Sequence, residues 1–384
     1  MKVAVITQYF PTSRQPWAGH SSYQTLRFLA QLCEVKVFYP QASYPKLLTP
    51  ATAKGAALDF GYQPEGVAVE YIPYPTLPVV GRPLNGWVAS HSLLPRVRLF
   101  KPDIILNYTV YPDGYAALRV GQALKVPVVV MAIGSDLNRI SDALVRVLTK
   151  KTVRESDAVI TVSRDLKKTA MALGAAPEKS FAILNGCDTG IFHNRDKAEA
   201  RAALQLDGGE GAVVYVGRMD VRKGLRELIE AVVSLREQRP RLRCYLVGDG
   251  SDESILREAI AQRGAGEYVR LMAPCRTEGI AQWMAAADVV TLPSYMEGCP
   301  NVVIEALASG RPVVASNVGG IPELMDEASG RLVPPRDAGA LATALDEVLE
   351  GSWDGDEIAQ RHNRSWSDVA GDVMRVLEQA LQRR

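Results

Sequence analysis

Two carboxylates and two cations carry the most specific chemical pattern in this chain. Glu297 and Glu305, with seven residues between them, lie in Pro293-Ser-Tyr-Met-Glu-Gly-Cys-Pro-Asn-Val-Val-Ile-Glu305, and Arg218 and Lys223 flank the turn Gly217-Arg-Met-Asp-Val-Arg-Lys-Gly224. A helix starting at about Asn301 leaves its first N–H groups unpaired and pointing back at Gly298, Cys299 and Pro300, which makes an anion site. Glu297, on the loop just ahead, is placed to accept hydrogen bonds from hydroxyls attached to such an anion. Glu305, one turn in, reaches a polyhydroxyl group such as a ribose lying along the helix. It sits between Ile304 and Ala306 in an apolar run, where an unpaired carboxylate is costly. Arg218 and Lys223 at a helix N-terminus form a phosphate clamp, with Arg222 in reserve. The plainer alternatives are a solvated loop carboxylate, a surface glutamate and a solvated pair of cations.

The elements that hold these groups repeat one pattern. Val289 to Leu292 reads as a strand, Pro293 breaks it, and Val302, Val303, Ala306 and Leu307 recur at helical spacing; Gly310 then stops the helix before a strand from Pro312 to Ala315. In such α/β units ligands sit beyond the carboxyl ends of the strands. Strands are expected at Lys2–Thr7, Glu34–Tyr39, Val67–Ile72, Asp103–Leu106, Pro127–Ala132, Ala158–Val162, Gly211–Val216, Arg243–Val247 and Val269–Met272. Helical patterns fall between them, and the alternation predicts an α/β fold of doubly wound parallel sheets. At 384 residues and 47% hydrophobic composition, the chain predicts two domains. The expected division is 1–193 and 194–365, with a linker from Asn194 to Leu206 and a last amphipathic helix, roughly Trp366 to Leu381 within 366–384, crossing back onto the first domain. The stretch from Gln41 to Thr76 is a long connection rich in Pro, Tyr and Gly, and such connections are functional or variable. Leu77 to Lys101 mixes apolar and basic residues, as a packed helix with solvated cations would.

Composition narrows the function. No apolar run reaches membrane-spanning length and Met1 to Thr7 reads as a strand rather than a signal peptide, so the expectation is cytoplasmic. The five cysteines are scattered without C-x-x-C spacing, which predicts reduced thiols and no metal site. The net charge of +1 conceals an asymmetry: residues 1–190 carry 21 Lys and Arg against 13 Asp and Glu, and 191–384 carry 23 against 30. That asymmetry suits peripheral contact with an anionic membrane at its inner face, and equally an incidental imbalance over solvated surfaces. Near-neutral charge without an aromatic-basic stripe disfavours nucleic acid as a partner.

The segment Glu297 to Ala315, with Gly310, Pro312, Val313, Val314 and Ala315 after the two glutamates, resembles the nucleotide-sugar signature of glycosyltransferase family 4. The resemblance implies a GT-B fold, two Rossmann-like domains facing across a cleft, and retention of anomeric configuration. It implies a donor-sugar hydroxyl on Glu297 and the nucleotide ribose on Glu305, with Gly298, Cys299, Pro300, Asn301 and Val302 around the donor. Gly217, Arg218, Lys223 and Gly224 match the family's G-R…K-G segment, giving Glu297, Arg218 and Lys223 as the catalytic set. Gly248 ends another strand at a turn suited to base or ribose, and Cys275 and Arg276 stand where the base is commonly received, although Pro274 removes one N–H. Asn185, Gly186 and Asp188 match the family's N-G-x-D segment, which closes the first domain.

On the acceptor side the resemblance is looser. Gly19 and His20 lie where the family has a glycine loop facing the cleft, without the usual double glycine. Gly134, Ser135 and Asp136 resemble a His-Gly-x-Asp turn, with Ile133 where the histidine usually stands. The alternative for Asp136 is a helix cap. The expected reaction is sugar transfer from a UDP- or GDP-linked donor to a glycan, lipid-linked or small-molecule hydroxyl. Protein cations would stabilise the leaving diphosphate without a metal or other cofactor. Rivals are a nucleotide-sugar epimerase or phosphorylase of the same fold, and a silent nucleotide-sugar-binding subunit, for which Ile133 leaves room.

Overall fold

The computed structural model describes residues 1–45, 58–78, 81–138, 140, 142–206 and 211–383; part of the Gln41–Thr76 connection lies outside these residues. The chain forms two compact units, 1–184 with 366–384, and 185–365.

The first unit holds a seven-stranded parallel sheet in the order β3-β2-β1-β4-β5-β6-β7. Its strands are β1 (Lys2–Ile6), β2 (Glu34–Ser43), β3 (Ala68–Pro75), β4 (Ile104–Tyr108), β5 (Val128–Ala132), β6 (Ala158–Thr161) and β7 (Ser180–Ala182). The inner strands β4 and β5 are buried along their whole length, as apolar runs covered on both faces must be. Around them lie α1 (His20–Leu32), α2 (Asn85–Phe100), α3 (Tyr115–Leu124), α4 (Ser135–Asn138), α5 (Ala143–Glu155) and α6 (Arg164–Ala172). Local chemistry sets their starts: the Asp142 carboxylate accepts from the Val145 N–H at 2.9 Å, and the Ser163 hydroxyl from Leu166 N–H at 3.1 Å, each satisfying an otherwise orphaned amide.

The second unit holds a six-stranded parallel sheet in the order β10-β9-β8-β11-β12-β13. The strands are β8 (Ala212–Val216), β9 (Arg243–Val247), β10 (Val269–Met272), β11 (Val289–Leu292), β12 (Val313–Ser316) and β13 (Gly330–Val333). The helices are α7 (Lys197–Ala203), α8 (Leu225–Leu235), α9 (Glu253–Gln262), α10 (Thr277–Ala286), α11 (Asn301–Ala308), α12 (Ala338–Glu350) and α13 (Gly355–Arg361). The last helix, α14 (Trp366–Gln382), belongs to the first unit, where it packs on α1.

Two expectations need correction. The stretch from Asn194 to Leu206 is no extended linker: Asp196 caps it by accepting from Glu199 N–H at 2.8 Å, and Lys-Ala-Glu-Ala-Arg-Ala-Ala makes helix α7. Ala is the best helix former, and Ala200 packs into a small cluster with Ala285 and Ala286. Residues 185–193, expected with the first domain, pack with the second unit.

Each sheet has one switch point, where the strand order reverses, between β1 and β4 in the first unit and between β8 and β11 in the second. Carboxyl-end loops diverge there and leave a crevice. The loop after β8 carries Arg218 and Lys223; the loop after β11 carries Glu297.

Candidate functional site

In the second unit the switch point brings the sequence-predicted groups together. Lys223 Nζ donates to Glu297 Oε1 at 2.6 Å across 74 residues of sequence. The two loops are fastened to each other: Tyr295 N–H donates to the Arg222 carbonyl at 2.9 Å, and Gly224, at φ +69, lies so close to Pro293 that a Cβ would stand 1.9 Å from its carbonyl oxygen. Only glycine tolerates both the left-handed backbone and that approach.

The neighbouring loops complete the frame. Met219 N–H donates to the Asp249 carbonyl at 2.6 Å and Gly217 N–H to Val247 at 3.0 Å. Gly248 backs onto Gly217, whose carbonyl oxygen a Cβ at Gly248 would meet at 2.0 Å. Behind Glu297, Gly319 at φ +55 leaves room for a Cβ only 2.0 Å from the Glu297 carbonyl, and Gly320 N–H donates to Gly298 at 2.9 Å. The Tyr215 hydroxyl donates to the Arg218 carbonyl at 2.7 Å. Arg218 itself is exposed, its guanidinium available to a ligand.

Helix α11 starts at this loop. Pro300 is its N-cap and has no side chain able to accept from the first amides, which leaves them for a ligand. The loop before it is held from behind by Asn185, whose N–H donates to Cys299 Sγ at 3.4 Å and whose amide donates to the Cys299 carbonyl at 3.2 Å and to Asn301 Oδ1 at 2.8 Å. Burial pushes the Cys299 thiol up to about 12, so it is a packed neutral group. Glu305 lies further along α11, and burial pushes its carboxyl up to about 7. Its side chain makes no hydrogen bond among the described residues.

Other predicted residues stand apart. Cys275 and Arg276 are exposed on the loop after β10, two strands from β8, at the same end of the sheet. Arg222 is engaged: its guanidinium binds Asp220, whose carboxylate that pairing holds well below the usual range. Asn185 is marked in the sequence by its N-G-x-D segment, but its contact behind Cys299, like that of Gly319 behind Glu297, is long-range and carries no local signal.

In the first unit a pocket of about 300 Å³ opens beside the β1–β4 switch point, lined by Gln8, Tyr44, Tyr74, Arg82, Tyr111, Ser135 and Asp136 among others. Beneath it Asp113 is buried: Gln8 N–H donates to its Oδ2 at 2.6 Å, its Oδ1 has no partner among the described residues, and desolvation pushes it up to about 7. Asp136 is committed to the backbone, accepting from Val110 N–H at 2.9 Å, Ile133 N–H at 3.1 Å and Gly134 N–H at 2.9 Å. These bonds shape the turn and hold the loop after β4, and both Asp136 and the exposed Ser135 line the pocket. Gly19 and His20 lie outside this pocket. Gly19 is pressed against the Tyr9 backbone, and the His20 ring meets the edge of Trp366 at 6.2 Å between centroids.

Residues 18–190 match the profile of Glycosyltransferase Family 4, and residues 210–351 that of Glycosyl transferases group 1. TuaC of Bacillus subtilis (strain 168), provisionally assigned as a teichuronic acid biosynthesis glycosyltransferase, is 30% identical over 98% of this chain and 94% of its own length. The D-inositol 3-phosphate glycosyltransferase of Mycobacteroides abscessus is 33% identical over 64% of this chain and 56% of its own. Among solved structures, HepE of Anabaena in complex with UDP superposes with a TM-score of 0.77 at 19% identity, covering 99% of this chain and 100% of that one. Sucrose-phosphate synthase of Thermosynechococcus elongatus gives 0.78 at 21% identity, with complete coverage of both chains. The shared architecture is GT-B.

Proposed function

Because the chain belongs to glycosyltransferase family 4, we propose that it is a retaining, metal-independent enzyme that moves a sugar from a UDP- or GDP-linked donor to a hydroxyl acceptor. The observation that carries this reading is the Lys223–Glu297 pair, 2.6 Å apart at the start of α11. On donor binding the Lys223 ammonium exchanges the carboxylate for a diphosphate oxygen, and Glu297 is released to accept from a sugar hydroxyl. Arg218 and the first amides of α11 hold the remaining diphosphate charge, which grows as the anomeric C–O bond breaks. Glu305 accepts from the ribose.

The acceptor oxygen forms its new bond on the face from which the diphosphate departs, and its proton passes to the departing phosphate oxygen. No enzymic nucleophile is needed, and Arg218 and Lys223 supply the positive charge a metal would otherwise bring. The UDP bound by HepE supports uridine as the donor base. The likeness to TuaC supports an acceptor in cell-surface polysaccharide synthesis, with glycolipid or other glycoconjugate as the wider class. The pocket of the first unit, with Tyr44, Tyr74, Tyr111 and Ser135, is the proposed acceptor side, since flat aromatic faces and hydroxyls suit a sugar ring.

The experiment is transfer from UDP-glucose and GDP-mannose to a panel of glycosides with and without EDTA, with product stereochemistry read by NMR. An inverted linkage overturns retention, and loss of transfer in EDTA overturns metal independence. No helix among the described residues is long and apolar enough to cross a membrane. Peripheral contact is part of the proposal, supported by exposed Leu84 and Trp87 at the start of α2 and exposed Arg98, Leu99 and Lys101 at its end. Sedimentation with anionic vesicles checks it, and full recovery in the supernatant contradicts it.

A further inference from the structure

The second unit has a cavity at the opposite end of its sheet from the Lys223–Glu297 pair. Its lining includes Gly211, Leu242, Asp288 and Pro312, which precede β8, β9, β11 and β12, whereas the donor loops follow β8, β9 and β11. The cavity is about 580 Å³, within the range of small-molecule sites.

Its charge is one-sided. Lys197, Arg201, Arg239, Arg241 and Arg311 line it, and Asp288 is the single carboxylate among the described lining residues. Asp288 is already shared, accepting from Lys197 Nζ at 2.7 Å, Arg201 at 2.5 Å and the Ala212 N–H at 2.7 Å. Arg239 is matched from outside the lining by Asp346, with Glu350 beyond.

Arg311 is different. It is 7% exposed, donates to the Arg195 carbonyl at 2.7 Å and to Asn194 Oδ1 at 3.3 Å, and its buried Nε has no partner among the described residues. Among the described residues no carboxylate pairs with it. Removing a guanidinium from water is costly, and burial lowers its basicity, with Arg201 adding to the effect and the nearby Asp288 and Asp196 offsetting only part of it. Arg201, 8% exposed, stands in the same wall.

We propose that this cavity is a second anion site, distinct from the donor pocket, that takes a phosphate-bearing small molecule on Arg311, Arg201 and Lys197. Guanidinium forks match phosphate oxygens in pairs, and an ammonium supplies a point charge. The cavity is large enough for a sugar phosphate or a nucleotide, and Trp353 offers an aromatic edge in its lining. The site lies beyond the carboxyl end of α11, where Arg311 N–H donates to the Ala306 carbonyl at 3.0 Å. The helix whose first turn faces the donor pocket therefore ends at this cavity.

The test uses the full chain carrying Arg218→Ala and Lys223→Ala, which removes the donor-pocket cations. Pyrophosphate binding is then measured by calorimetry at low salt. One remaining site is expected, weakened at least about tenfold by Lys197→Met and by Arg311→Gln, with citrate binding at least about tenfold more weakly than pyrophosphate. The half-exposed Lys197 keeps the test valid if Arg311→Gln fails to fold. Absence of pyrophosphate binding to the donor-pocket variant, or binding unchanged by Lys197→Met, overturns the site. Citrate binding as tightly as pyrophosphate overturns the phosphate class.

Discussion

Lys223 Nζ and Glu297 Oε1 stand 2.6 Å apart, each on the loop after one of the two strands that flank the switch point of the second sheet. The pair joins the cation meant for a diphosphate to the carboxylate meant for its sugar. Removing the cation while keeping the frame therefore isolates its electrostatic share. Lys223→Met is expected to lower kcat/KM by about 10²- to 10³-fold, the range for losing one charge-stabilising donor, with Glu297→Gln affecting kcat more than nucleotide affinity. Steady-state kinetics checks both, and an unchanged kcat/KM for Lys223→Met would remove it from the catalytic set.

Arg218 and Arg222 lie in the same turn, but Arg222 is held by Asp220. Arg218→Ala is expected to weaken nucleoside diphosphate binding more than about tenfold, whereas Arg222→Ala changes it by less than about threefold. Calorimetric titration with UDP and GDP separates them, and the reverse ranking would exchange their roles.

Burial pushes the Glu305 carboxyl up to about 7, above its value in the unfolded chain. Between the ordinary carboxyl range and about pH 7 the folded protein therefore binds the proton more tightly than the unfolded chain does. The stability this confers is present at low pH and lost as pH rises through about 7. The loss is on the order of 3 kcal/mol. Glu305→Gln, which has no proton to lose, is expected to flatten the difference in stability between pH 5 and pH 8. Denaturant titrations at both values check this, and parallel profiles for the two proteins contradict it.

Two glycines test the frame. Gly319→Ala places a Cβ against the Glu297 carbonyl from a left-handed backbone, costing about 1–2 kcal/mol for the conformation and a further 1–3 kcal/mol for overpacking, with transfer lost through displacement of Glu297. Gly371→Ala, inside α14 with nothing within 4 Å, is expected to stabilise the fold by about 0.5–1 kcal/mol. Thermal denaturation of both variants checks the contrast; equal effects would mean that Gly319 is not crowded.

Much of this was legible in the sequence because it is local. Strand, glycine loop and helix follow one another within short windows, so β11, the loop carrying Glu297 and α11 could be read from apolar spacing and Pro293, and likewise β8 and the turn at Gly217 to Gly224. What escaped was set by distance or by competing local chemistry. Asn185 reaches Cys299 across 114 residues, and the cavity at Arg311 forms only when the amino ends of four strands meet. Residues 194–206 read as a linker, yet the Asp196 cap and the four alanines of Lys197–Ala203 suffice for α7. Asp136 reads from the sequence as a cleft residue with a helix cap as the alternative; in the fold it accepts from three backbone amides and also lines the first-unit pocket.

The most direct measurement is thermal stabilisation by UDP, GDP and their sugars of the wild-type chain, Lys223→Ala and Glu305→Ala. One nucleoside diphosphate is expected to raise the melting temperature of the wild type, with the shift lost in Lys223→Ala and reduced in Glu305→Ala. Stabilisation of all three proteins alike, or of none, would contradict a donor site built on Lys223, Glu297 and Glu305.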